Sequence, residues 1–164
     1  MFSLKRIVQE KQQKKELRKR GSALHAELID RVLPITSDGR LGIEDGFELR
    51  FEVLVLLVSS MLIRLHQIGK KELAATLWEI TFEGFDHSLR QQGVTDMAIG
   101  KRMRKLLLHA TGRRTAYIEA MEKSDIVALE EAIQRNVLSG ASKDVKDPMP
   151  SLLEAIRAVD QIPL

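Results

Sequence analysis

The chain has 164 residues, about the size of one domain and long enough to bury a real core. Hydrophobic residues make up 44% and charged residues 30%, with ten glycines, four prolines and no cysteine, which excludes collagenous and low-complexity chains, disulfides, thiolate zinc, iron–sulfur clusters and thiol nucleophiles. The net charge of +3 is unevenly placed: residues 1–20 carry eight Lys and Arg against Glu10 and Glu16, a balance of +6, so the remainder sums to −3.

Helical periodicity dominates, and no run alternates with period two. Residues 1–20 read either as a basic arm suited to phosphate-rich surfaces, nucleic acid or anionic lipid, or as a solvated arm with no dedicated partner. Gln9 to Glu16 contains no apolar residue, so a helix there is exposed on all sides and expected to fray. The arm has no apolar core of a secretory signal, and its two glutamates argue against a mitochondrial transit peptide. Leu24, Leu28, Ile29 and Val32 then recur at spacings of three and four, predicting a short amphipathic helix stopped near Pro34. Ile35 to Gly46, with three glycines among polar residues, reads as a loop.

Residues 47–68 form the most hydrophobic stretch, and its length without a turn signal predicts a central helix capped by Gly69. Its longest uncharged run, Val53 to Ile63, is about half the roughly 20 residues a membrane span needs. The next helix starts near Lys71 and places Ala74, Leu77, Trp78, Thr81, Phe82, Phe85 and Leu89 on one stripe, ending at Gly93. Trp78, Phe82, Phe85 and Leu89 are expected at the centre of the core, against the helix of residues 47–68. Thr95 is the expected cap of a helix with Asp96 in its first turn and Ile99, Met103, Leu106, Leu107 and Ala110 inward, continuing through Gly112 to Tyr117 and Met121. Ser124 is read as opening another helix, Gly140 to Pro150 as a linker, and Ser151 with Glu154 as the capping box of a last helix. The expected fold is all-α, a single domain of six or seven helices around a central hydrophobic helix. It divides into the arm at 1–20, a helical region at 21–140, and a linker with C-terminal helix at 141–164.

Chemical sites are mostly missing from this pattern. The four histidines, at 25, 66, 87 and 109, are scattered without metal-ligand spacing. Glu79, Glu83, Asp86 and His87 share a helix face with Arg90, but no second helix offers matching ligands; a wet face laced by an Asp86–Arg90 pair at i, i+4 is the better reading. Gly93 to Gly100-Lys101-Arg102 has six residues between its glycines and an arginine where a phosphate-binding loop needs a hydroxyl. No GxSxG elbow occurs, and Ser59-Ser60 lies inside the apolar helix. No catalysis, metal or cofactor is therefore expected. Met97 to Ile118 contains no acid but holds Lys101, Arg102, Arg104, Lys105, Arg113 and Arg114. At about 100° per residue, Lys101, Arg102, Lys105, His109 and Arg113 fall within a third of the circumference, a stripe with no intrahelical partner. The plainer reading is a solvated face. Aromatic residues are only 4% and none alternates with these bases, which argues against a platform for stacking single-stranded nucleic acid.

The run FEGFDHSLRQQGVTDMAIGKRMRKLLLHATGRRTAYIEAM, residues 82–121, resembles the signature region of the ubiquinol-cytochrome c chaperone family. The matching positions are Asp86, Leu89, Arg90, Gly93, Val94, Asp96, Lys101, Gly112, Arg113 and Tyr117, with FELRFEVLVLLVSSMLIRL upstream resembling the family's apolar helix and Asn136 in a late position. The resemblance spans residues 22–140. The chain departs from the family at Ala110-Thr111, where members often have an aromatic pair, and at Gly84-Phe85, where they are more acidic. The resemblance implies a helical, non-catalytic assembly factor for the cytochrome bc1 complex that binds newly made cytochrome b or a related subunit, and it resembles bacterial members in showing no transit peptide. It implies partner contacts at Asp86, Arg90, Asp96, Lys101, Arg102, Lys105, Arg113 and Tyr117. The basic arm would meet the ribosome or an anionic membrane, and the expected location is the cytoplasm or the inner-membrane surface. The alternative is an RNA- or ribosome-associated helical protein.

Overall fold

The computed structural model describes residues 2–164, with side chains from Leu4; Met1 and the side chains of Phe2 and Ser3, all in the expected arm, lie outside the described residues. The described residues form six helices and no strand, α1 (Phe2–Ser37), α2 (Phe47–Gln67), α3 (Lys71–Gln91), α4 (Asp96–Glu122), α5 (Ile126–Asn136) and α6 (Met149–Val159). Helix α2 is the hub. Its Val-, Leu- and Phe-rich sequence is buried on almost every side, which is possible only because α1, α3, α4 and α6 all pack around it. Ser59 sits among those apolar neighbours with its hydroxyl donated to the Val55 carbonyl 2.7 Å away.

The first helix is longer than the sequence suggests. Residues 2–37 form one continuous helix, so the expected arm is its N-terminal half, and Pro34 lies inside it rather than at its end. Proline removes one amide donor, and the helix runs on for three residues, with the Ser37 hydroxyl donating to the Leu33 carbonyl at 2.7 Å. Around residue 20 the helix crosses closely over α3. A Cβ on Gly21 would lie 2.8 Å from Ile80 Cδ1 and 3.2 Å from Thr76 Cγ2, so a larger residue here would have to push the Ile80 side chain aside. Leu17 packs on the core nearby, Arg18 makes a two-pronged ion pair with Glu83, and Gln13 donates to Glu72.

Three of the turns between helices share one geometry. At the end of α2, Gly69 (φ 75°) donates to His66 and Lys70 donates to Leu65; at the end of α3, Gly93 (φ 77°) donates to Arg90 and Val94 to Leu89. Ser124 occupies the same left-handed position after α4 (φ 53°), donating to Met121 while Asp125 donates to Ala120. Ser124 therefore ends α4 instead of opening α5, whose cap is Asp125, accepting the Ala128 amide at 3.0 Å. The last helix likewise starts at Met149, before the expected capping box, and the Met149 amide is taken by Asp147 Oδ1 at 3.0 Å. Its end is held by Arg64, which donates to the carbonyls of Val159 and Ile162, and the Ile162 side chain is fully buried.

The expected centre of the core also shifts. Leu77, Leu89 and Phe85 are buried as expected, but Trp78 and Phe82 are only partly so. The interior is filled instead by Phe51, Leu56, Leu57, Met61 and Leu65 of α2 with Leu28, Ile133, Leu152 and Tyr117 from the helices around it.

Candidate partner-binding face

The signature residues meet first at the corner between α3 and α4. Arg90 donates through Nε to Asp86 at 2.8 Å and through Nη1 to Asp96 at 2.5 Å, so one guanidinium ties the end of α3 to the first turn of α4. Both carboxylates stabilise its charged form, Asp86 most strongly. Leu89 beside it is fully buried and Gly93 makes the turn. The spacing Asp86, Leu89, Arg90, Gly93, Asp96 thus builds a corner, with Asp86, Arg90 and Asp96 on its surface.

From that corner α4 runs back along α2. Its buried side is Ile99, Leu106, Ala110 and Tyr117, and at about 100° per residue the directly opposite stripe is Met97, Lys101, Arg104 and Leu108. Met97 is 93% exposed and Leu108 73%, while Lys101, Arg104 and Lys105 are exposed around them. The outward face is therefore basic and apolar together, and Met97, Arg104 and Leu108 are the members that the expected stripe left out. Their position opposite Ile99, Leu106 and Ala110 at about 100° per residue is the sequence signal that could have found them.

The arginines of the expected stripe turn towards α2, Arg113 into a half-buried pair and Arg102 at the surface. Arg102 reaches Glu48 at 3.3 Å and lies 5.5 Å from the Phe47 ring centroid; Arg113 donates to Glu52 at 2.5 Å and lies 5.9 Å from the Phe51 ring. Arg114 sits 4.4 Å above the Trp78 ring. Arg102 and Arg113 do have acidic partners, supplied by α2 and invisible to any search along α4. The rings belong to a continuous array: Phe51 and Phe85 lie 5.0 Å apart, Phe82 and Phe85 5.5 Å, and Trp78 and Phe82 5.1 Å, with Phe47 against both Phe51 and Phe85. Three arginines of α4 thus clamp an aromatic seam joining α2 to α3. The Arg113–Glu52 pair is the least exposed, at 20% and 14%, and burial pushes the Glu52 carboxyl above its usual range even though Arg113 pulls it down.

Tyr117, an expected contact residue, lies in the interior and not on the surface of α4. It is fully buried, and its hydroxyl has no partner within hydrogen-bond distance. Burial pushes its ionisation up to about 12, and the Asn136 side chain, close to the hydroxyl but outside hydrogen-bond geometry, offsets part of that shift. The predicted residues consequently fall into three groups: Lys101 and Lys105 free on the outer face, Arg102 and Arg113 engaged with α2, and the Arg90 corner a separate cluster. A shallow depression of about 430 Å³, bordered by Glu48, Lys101, Arg102, Lys105 and His109, links the free lysines to the start of α2.

A second concavity went unread in the sequence. Between α1, α2 and α3 lies a cleft of about 510 Å³ lined mainly by Ile29, Val32, Phe47, Phe51, Leu54 and Phe85. His25 borders it, but its Nε2 is occluded and unpartnered against Gly84, where a Cβ would lie 3.2 Å from the ring, and burial lowers its basicity. Among the described residues no cluster of His, Asp and Glu is arranged to hold a metal ion, and no helix is long and apolar enough to cross a membrane.

The ubiquinol-cytochrome C chaperone family profile matches residues 39–162, so α6 lies inside the family region, beyond the resemblance read over 22–140. No curated protein matches the chain. Among solved structures, the crystal structure of the Cbp3 homolog from Brucella abortus is similar over 94% of this chain and 87% of that one, with 24% sequence identity and a TM-score of 0.66, a likeness of fold. With the profile covering α2 to α6 and the Asp86–Arg90–Asp96 corner in place, the chain belongs to the ubiquinol-cytochrome c chaperone family.

Proposed function

We propose that this protein is a non-catalytic chaperone in assembly of the cytochrome bc1 complex, which holds newly made cytochrome b or a related membrane subunit. The observation that carries the reading is the family match over residues 39–162. The outer face of α4 supports it. Met97 and Leu108 offer apolar contact to hydrophobic client segments, while Lys101, Arg104 and Lys105 keep that face solvated until a client arrives. The Arg90 corner with Asp86 and Asp96 borders this surface, and the basic residues of 1–20 add an electrostatic contact with an anionic surface near the site of client synthesis, either the ribosome or the inner membrane.

Deleting the gene in its own host is expected to lower b-type haem absorbance and quinol–cytochrome c reductase activity in membranes. A Lys101→Glu with Lys105→Glu variant should fail to restore either while melting normally, since exposed substitutions shift stability by less than about 0.5 kcal/mol. Full restoration by that variant excludes the outer face of α4. Normal reductase levels in the deletion strain, together with tight, steeply salt-dependent RNA binding, would favour the nucleic-acid alternative.

A further inference from the structure

The tip of α1 is built unlike the rest of the molecule. Every side chain from Leu4 to Glu16 is exposed, and the first tie to the body is Gln13, which donates to Glu72 beside the start of α3 at Lys71. Residues before Gln13 therefore extend past the end of their neighbouring helix. Yet they include three large apolar side chains, Leu4 at 71% exposure, Ile7 at 44% and Val8 at 62%.

Their placement on the helix is specific. At about 100° per residue, Leu4, Ile7, Val8, Lys11 and Lys15 fall within roughly 100° of arc, while Leu17, Leu24 and Leu28, which face the body, lie about 60° to 100° beyond its Ile7 edge. Glu10 and Glu16 both lie off the outward arc, and Glu10 is held by Arg6 at 2.9 Å. The outward face thus has an apolar end followed by lysines, without a carboxylate. We propose that this tip is an interfacial helix that inserts Leu4, Ile7 and Val8 into an anionic lipid surface, with Lys11 and Lys15 on the headgroups. The charge is complementary to acidic lipid, and long lysine side chains reach headgroups while their stems stay on the apolar boundary. An RNA backbone would satisfy the lysines but would leave the three apolar side chains in water. The inference sharpens the electrostatic contact proposed above for residues 1–20 and is independent of any client.

The test is co-sedimentation of the full chain with vesicles of phosphatidylcholine alone or with about 30 mol% phosphatidylglycerol. The wild type is expected to pellet with the anionic vesicles and not with the neutral ones. A Leu4→Gln, Ile7→Gln, Val8→Gln variant should lose at least about tenfold in affinity, since it removes the inserted apolar surface and keeps every charge. A Lys11→Gln with Lys15→Gln variant should also lose affinity, and wild-type binding should weaken as salt rises. Equal vesicle affinity for the apolar variant and the wild type overturns the proposal, as does equal binding to neutral vesicles. Displacement from vesicles by polyuridylate that is unchanged in the apolar variant would assign the tip to nucleic acid. Melting curves serve as the folding control, because the substituted side chains touch nothing in the body. No client is present, so the vesicle result and the reductase phenotype can fail separately.

Discussion

Replacing Arg113 by methionine isolates the clamp between α4 and α2. Methionine keeps much of the packing against Phe51 but removes the donor 2.5 Å from Glu52, whose side chain is 14% exposed. Breaking a buried pair from one side leaves the other charge desolvated, a loss of about 3 to 5 kcal/mol for full burial; with 20% and 14% of the two side chains still in water, about 2 to 3 kcal/mol is expected at pH 7. The pH dependence gives a sharper signature. Burial already raises the Glu52 carboxyl above its usual range, and without Arg113 it rises further. The folded variant then holds a proton that the unfolded chain has released, so its stability increases as pH falls through the raised folded value. Urea denaturation followed by helical circular dichroism at pH 7 and pH 5 should show the deficit of Arg113→Met shrinking at the lower pH. Adding Glu52→Gln should recover a large part of the loss at pH 7 and remove the pH dependence. A deficit below about 0.5 kcal/mol, or one equal at both pH values, refutes the assignment of a desolvated pair.

Two further substitutions separate the interior from its rim. Leu77→Ala, at a fully buried site, should cost about 3 to 4 kcal/mol in chemical denaturation, and Trp78→Ala less, about 2, because Trp78 is only partly buried beneath Arg114; the reverse order contradicts the placement of the core. Tyr117→Phe removes a buried hydroxyl that lacks a partner and should leave thermal stability unchanged or raise it by up to about 1 kcal/mol, whereas a loss of more than that would require a hydrogen bond that the geometry does not show.

Helix type and order were legible in the sequence because apolar residues recur at three and four and glycines at 69 and 93 stop the helices. The length of α1 was not legible, since Gln9 to Glu16 has no apolar side and the contacts around residue 20, Gly21 against Ile80 and Thr76, come from a crossing with α3 that the sequence does not show. Ser124 was misread for a related reason: a serine next to a helix start resembles a cap, and only the backbone shows it in the left-handed position that closes α4.

For the candidate site, the sequence by itself determined the Asp86–Arg90 pair, because both residues lie one turn apart on the same helix and their distance is set by helix geometry alone. It also determined that Met97 to Ile118 carries no acid of its own. Tertiary structure decided what those bases do. Glu48 and Glu52 come from α2, some fifty to sixty positions away along the chain, and capture Arg102 and Arg113, while the same packing buries Tyr117 and leaves Lys101, Arg104, Lys105 and Leu108 outside. Helical spacing fixes which residues of α4 share a side. Which side faces the core, and which charges find partners there, depends on the helix packed against it.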